Sequence, residues 1–257
     1  MRMPKSGSIE ERLERLHELE EKTDRSIVDD FHNRVEMSWI YHDGALEGDV
    51  YNANEIETAL GDDLGIDKAL MPMYDEIRNH RAAIDLVREM SGRKRLKITL
   101  DLIKQIYLVL EPEEAEGKGT LKYRKEMPLH RVYFHEISQP NKISYRMRQL
   151  VHWISSNEAK RQIHPVRRAS RAHATLLRIY PFPKHNGKLA RLVMNLLLLR
   201  GGYPPAIIHS TDRQRYYEAL RVSDEEVSYV VHEALTNSIE SALRFFYRLH
   251  GIKEPGT

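Results

Sequence analysis

The stretch Arg178-Ile-Tyr-Pro-Phe-Pro-Lys-His-Asn-Gly-Lys-Leu-Ala-Arg191 runs directly into Leu192-Val-Met-Asn-Leu-Leu-Leu-Leu199, so a polar loop broken by prolines opens an apolar helix. Such a junction aims free backbone N–H groups and the positive end of a helix dipole at one point. Lys184, Lys188 and Arg191 add cationic charge beside it. The combination is an anion site, and phosphate is the commonest anion that such a site serves.

Outward from this junction the pattern is helical almost everywhere. Gly201-Gly202 closes the apolar helix and Pro204-Pro205 prevents its continuation. Upstream, His164–Ile179 and Tyr145–Ser156 read as helices; downstream, Asp212–Leu220 and Asp224–Leu249 do the same. Towards the N-terminus, Ser8 to about Ser38 repeats Ile9, Leu13, Leu16 and Leu19 at helical spacing. A helix through Val35–Ile40 is expected to break at the glycines of Tyr41-His-Asp-Gly-Ala-Leu-Glu-Gly-Asp49. Asn54 caps a short helix, Lys68–Met90 and Thr99–Leu110 are helices, and Pro112–Thr120 is an acidic linker. Arg131–Ser144, with β-branched and aromatic residues before Ser138-Gln-Pro-Asn, predicts one short β-hairpin. The expected class is all-α with that single hairpin. A helical region over 1–110 precedes a core over 111–257.

Composition sets outer bounds. Over 257 residues, 41% are hydrophobic and 30% charged, which describes a globular chain rather than a disordered one. Forty basic residues against 38 acidic give a net charge of +2, too balanced to point to nucleic acid. The helical spacing of Lys160, Arg161, Arg167, Arg168, Arg171 and Arg178 spreads them over more than one face and reads as a solvated basic surface. Zero cysteines remove disulfides and thiolate chemistry. The thirteen histidines show no paired metal-ligand spacing, so no metal site is expected from protein ligands. No apolar leader is visible and Leu192–Leu199 falls far short of a membrane span, so the expectation is a cytoplasmic protein with no membrane contact.

The loop resembles the signature of the Fic (Fido) family, His-Pro-Phe-x-Asp/Glu-Gly-Asn-Gly-Arg-x-x-Arg. Tyr123-Arg124, His164-Pro165, Ala172-His173, Asn195, Gly202-Tyr-Pro-Pro205 and Tyr216-Tyr-Glu-Ala-Leu220 fall in the family's order, extending the resemblance over about two-thirds of the chain. It implies a mainly helical Fic fold whose hairpin is a flap for target polypeptide, here carrying Val132, Tyr133 and Phe134. It also implies ATP as substrate and AMP transfer to a hydroxyl side chain of a protein, the chain itself included. Self-association is left open.

Residue by residue, Asn186 and Gly187 match the family's Asn-Gly, and Arg191 its second Arg, which binds the γ-phosphate. Lys188 replaces the first Arg, keeping charge without the bidentate fork. Asn195 and Tyr217 stand near the family's nucleoside. Three departures matter. Tyr180 replaces the histidine that takes the proton from the attacking hydroxyl, and a phenol with a reference pKa near ~10 is a poor base at neutral pH. His185 replaces a glycine and offers an alternative base. Lys184 replaces the acidic residue that would hold Mg²⁺, so its ammonium is expected to stand in for the metal and make turnover weakly Mg²⁺-dependent. The segment Asp43-Gly-Ala-Leu-Glu47-Gly48 resembles the family's inhibitory motif, Ser/Thr-x-x-x-Glu-Gly/Asn, within a helix over about 36–48. Carried over, Glu47 pairs with Arg191 and blocks the γ-phosphate. A rival reading is a nucleotide- or protein-binding module that kept the fold and lost the chemistry. An inhibitory glutamate has little purpose in such a module.

Overall fold

The computed structural model describes residues 8–61, 68–116, 121–128 and 135–253. Its helices are α1 (Ile9–Glu21), α2 (Arg25–Glu47), α3 (Ala53–Leu60), α4 (Met71–Gly92), α5 (Leu100–Leu110), α6 (Glu113–Glu116), α7 (Pro140–Ser155), α8 (Asn157–Arg161), α9 (Pro165–Ile179), α10 (Asn186–Arg200), α11 (Arg213–Val222) and α12 (Asp224–Leu249).

Helix α10 is the axis. Every residue from Asn186 to Leu198 is buried, because α9, α4, α5 and α2 all pack on it. Its N-terminal polar residues therefore lie inside the protein and must be paired there. Gly201 caps the helix and Gly202 takes φ 81°, a left-handed conformation that suits glycine. The outer layer is built by α12 on α9 and α1, and by α7 on α9. One apolar core runs from Leu16 in α1 to Tyr247 in α12.

Besides α3, which is capped by Asn52 rather than Asn54, and the short α6 inside the expected linker, three expectations change. The Ser8–Ser38 helix is two helices, since Asp24 accepts from Ser26 N–H as a new N-cap. Gly44 does not break α2, which continues to Glu47 and ends at Gly48 with φ 107°. Gly44 answers to close packing: a Cβ there would fall 2.6 Å from Tyr51 Cε2 and 2.9 Å from the Asp49 carbonyl oxygen. The helix thus stays continuous while the returning chain presses against it.

The expected hairpin over 131–144 is the third: no strand occurs among the described residues, which include 135–144. Asn141 to Ser144 belong to the first turn and a half of α7, which opens at Pro140, where a missing N–H costs a helix nothing. The preceding segment spends its hydrogen bonds elsewhere. Ser138 N–H donates to the Arg178 carbonyl at 2.8 Å, and its own carbonyl accepts from the Arg124 guanidinium. Val132, Tyr133 and Phe134 lie outside the described residues.

Candidate functional site

The loop between α9 and α10 turns through two residues in the left-handed region, Tyr180 (φ 49°) and His185 (φ 55°). Non-glycine residues reach that region at a cost and concentrate at functional sites. His185 occupies a position where glycine would be unstrained, and it takes the same backbone shape. Asn186 locks the turn. Its side-chain oxygen accepts from Phe182 N–H at 2.9 Å, and its amide nitrogen donates to the carbonyls of Phe182 (2.7 Å) and Lys184 (3.2 Å). Phe182 is buried and stacks on Tyr107 with ring centroids 3.9 Å apart, anchoring the loop in the core. Arg124 pins its start, donating from Nε to the Tyr180 carbonyl at 2.7 Å. Tyr180 itself is buried.

The cationic side chains of the loop are all met by carboxylates. Arg191, 1% exposed, donates from Nε to Asp43 Oδ1 at 2.7 Å and from Nη2 to Glu47 Oε1 at 3.0 Å. Its Nη1 is buried without a hydrogen-bond partner. Lys188, also 1% exposed, pairs with Glu76 of α4 and lies 3.4 Å from Asp49 Oδ2. His185 Nε2 lies 2.9 Å from Glu111 Oε2, at the end of α5, and its Nδ1 4.0 Å from Glu76 Oε1. Lys184 is largely exposed, with Nζ 3.3 Å from Glu111 Oε1.

Glu47 does more than pair with Arg191. A Cβ built on Gly187 would fall 1.8 Å from Glu47 Oε1. The carboxylate therefore rests on the first turn of α10, where a helix N-terminus attracts an anion.

Electrostatics follow from burial and neighbours. Burial pushes the Asp43 carboxyl up, but Arg191 and His80 together outweigh it and hold Asp43 below the ordinary carboxylate range. Burial acts on Glu76 in the same way, and Lys188, with His185 and Tyr51, holds it down. His80 of α4 lies 3.4 Å from Asp43 Oδ2, and burial pushes its pKa down. Burial, then Lys188, push His185 down as well. The buried His173 accepts or donates with the Tyr216 hydroxyl at 3.0 Å, and burial lowers it to about 3.

The two residues expected near a nucleoside serve the framework in this state. Asn195 bridges α10 to the following segment, accepting from Ala206 N–H at 2.9 Å and donating to the Ala206 carbonyl at 3.4 Å. Tyr217 donates from its hydroxyl to the Leu46 carbonyl at 3.0 Å, beside Arg213 Nε at 3.1 Å, so both grip the C-terminal end of α2. The structure thus brings Asp43, Glu47, Gly187 and Arg191 together, and leaves Lys184 at the margin. Sequence reading missed Glu76, Asp49, Glu111 and His80. Their acidic or basic character carries no spacing signal: Glu111 lies 73 residues from Lys184 in the chain, and Asp49 139 from Lys188.

The position that would supply a divalent-metal ligand is filled by Lys184, a cation held by Glu111, and no group of three or more His, Asp or Glu side chains among the described residues is placed to hold a metal.

Fold and site together define a helical protein in which a glutamate of its own chain packs on the first turn of α10 and pairs with Arg191. Residues 97–198 match the Fic/DOC family. The chain is 30% identical over 190 residues to a protein adenylyltransferase Fic of Drosophila grimshawi, covering 72% of this chain and 38% of that protein. For the protein of the same name from Aedes aegypti the identity is 32%, over 72% of this chain and 36% of the relative. The chain thus spans little more than a third of the length of these relatives. Among solved structures, a Fic-domain signalling protein of Bacteroides thetaiotaomicron superposes with TM-score 0.74 at 19% identity, over 95% of this chain and 99% of that one. Fic-1 from C. elegans superposes with TM-score 0.75 at 21% identity, over 95% of this chain and 73% of that one. The chain is a Fic-domain protein, a member of the Fic/DOC family. No helix among its described residues is long and apolar enough to cross a membrane.

Proposed function

We propose that the chain is a protein adenylyltransferase, held in a closed state by Glu47. The single observation that carries this reading is the Glu47 carboxylate seated against Gly187 and paired with Arg191. A carboxylate stabilised at that point marks where a phosphate oxygen is stabilised once it leaves.

In the open state, the backbone of Asn186–Lys188 and the side chains of Lys188 and Arg191 grip the phosphates of ATP. An acceptor hydroxyl of a protein attacks the α-phosphorus; the new oxygen–phosphorus bond forms as the bond to the β-phosphate oxygen breaks, and pyrophosphate leaves. The acceptor proton passes to a base. Tyr180 stands at the base position as an orienting hydroxyl and a weak base. His185 is the alternative, with Nε2 held by Glu111 and a ring kept neutral by burial. Loss of an efficient general base slows such a reaction by roughly 10²–10⁴-fold. Positioning and charge stabilisation still supply most of the acceleration in phosphoryl-type transfer, and these groups are present. The Lys184 ammonium supplies positive charge near the phosphates, and no step is routed through a metal.

A second reading, a binding module without transfer, is favoured by Tyr180 at the base position. One experiment separates the two: incubation of the chain with α-labelled and γ-labelled ATP, alone and with a cell lysate. Label transferred to protein from the α position alone supports adenylylation. Nucleotide binding with no transfer from either position supports the second reading.

A further inference from the structure

The arginines of α7 and α9 do not all disperse into solvent. Arg146, His152, Arg171 and Arg178 converge on one cleft of about 580 Å³ between these helices, with Trp153 and Thr175 in its lining. No carboxylate among the described residues lines it. The Arg171 guanidinium stacks over Trp153, 4.6 Å from the ring centroid, which holds a planar cation in place for an oxyanion to meet edge-on. Arg146 donates to Ser138 Oγ at 3.0 Å, and Arg178 pairs with Asp224. Arg146, His152 and Arg171 remain exposed.

The cleft is tied to the reactive loop. Arg178 and Ile179 line it, and Tyr180 is the next residue. Ser138 is bonded through its N–H to the Arg178 carbonyl, while Arg124 holds the carbonyls of both Ser138 and Tyr180. One short network of backbone bonds therefore fixes the cleft wall relative to the loop. A segment held in the cleft would keep a defined register towards the phosphate site.

We propose that this cleft docks an acidic segment of the acceptor protein, next to the loop at which a hydroxyl of that protein is modified. Charge complementarity selects the occupant: guanidinium groups pair with carboxylates bidentately, and although Arg178 is engaged by Asp224, no ion pair to Arg146 or Arg171 occurs among the described residues. The assignment rests on the transferase reading, and its test is independent of turnover.

Fluorescence anisotropy of the full chain would be measured with two fluorescein-labelled peptides of equal length. One has a serine flanked by Asp and Glu, the other the same serine flanked by Lys; a labelled oligothymidylate is the third probe. The expected result is binding of the acidic peptide alone, weakened about tenfold or more by Arg146→Glu with Arg171→Glu, as expected for reversal of two rim charges. Arg146→Lys with Arg171→Lys should retain most of the binding. Raising salt from about 50 to about 500 mM should weaken binding to the unaltered chain, which tests the charge argument without any variant. Equal binding of the two peptides, an unchanged affinity in the charge-reversed chain, or tighter binding of the oligothymidylate would overturn the assignment. ATP affinity and AMP transfer are read separately. Charge-dependent peptide binding without transfer would leave the docking surface standing and remove the transferase reading instead.

Discussion

Glu47 and Gly187 are in contact: the space that a Cβ on residue 187 would need is taken by Glu47 Oε1, 1.8 Å away. The C-terminal end of α2 and the first turn of α10 are therefore fitted to each other at one glycine. Removing the glutamate, as Glu47→Gly, should empty the helix N-terminus and raise AMP transfer by roughly 5- to 150-fold, the range of a coupling of about 1–3 kcal/mol. A rate unchanged from that of the parent chain, measured with α-labelled ATP, would show that the contact does not regulate.

Gly187→Ala tests the same contact from the other side. The added methyl cannot coexist with the docked carboxylate, so the chain should lose about 1–3 kcal/mol of stability in urea unfolding. Glu47→Gly should recover part of that loss, because the two substitutions remove one shared clash. Strict additivity in the double-mutant cycle would contradict the observed packing.

Asp43 has a different part from Glu47. It is 1% exposed, takes the Arg191 Nε at 2.7 Å and accepts from Trp39 Nε1 at 3.1 Å, and so belongs to the framework that aims the guanidinium. In the Glu47→Gly chain, if Arg191 takes the terminal phosphate as proposed, Asp43→Ala should weaken ATP binding by about tenfold while leaving AMP binding nearly intact; a fully buried pair broken on one side costs about 3–5 kcal/mol, so stability should fall too. Titration calorimetry with both nucleotides checks this. A further gain of transfer on Asp43→Ala would make Asp43 a second inhibitory group.

The hold on α2 should weaken in mild acid. His42 stacks on His209 at 4.2 Å, accepts at Nδ1 from Ser210 N–H at 3.2 Å, and faces Asp43 and Asp212. Burial first, then His209, lower its pKa from 6.5 to about 4. A released His42 takes a proton as pH drops below about 6.5, whereas the docked ring refuses it until about 4. The docked state is thus fully favoured above that window and loses stability progressively within it. Asp43 and Glu76, both shifted down, stay ionised there. Hydrogen-exchange protection in α2, corrected for the intrinsic amide rate at each pH, should fall between pH 7 and pH 5, and His42→Gln should reduce that fall. His80, also shifted down, contributes in the same direction and leaves a remainder. An identical pH dependence in the two chains would exclude His42.

Transfer should persist in EDTA, since residue 184 presents an ammonium rather than a carboxylate. Complete loss of label transfer on chelation would reject the assignment of that charge to the metal's place.

Much of this architecture is legible in the sequence where local chemistry decides it. The apolar run of α10, its Gly201-Gly202 end and the Asn186-Gly187 turn are set by residues within a few positions of one another. The same local reading fails where tertiary packing decides. Gly44 looks like a helix breaker until Tyr51 is seen to need its missing side chain. Ser138-Gln-Pro-Asn resembles a hairpin turn, yet its backbone bonds go to Arg178 and Arg124 and Pro140 begins a helix. Glu76 and Glu111 carry no motif at all; they count only because folding places them on Lys188 and His185.

The central claim is that the loop grips a triphosphate once Glu47 leaves. Calorimetric titration of ATP into the Glu47→Gly chain, and into the same chain with Arg191→Ala, measures it directly. Saturable binding in the first and its loss in the second is the predicted result. No heat of binding in the Glu47→Gly chain at millimolar ATP would contradict it.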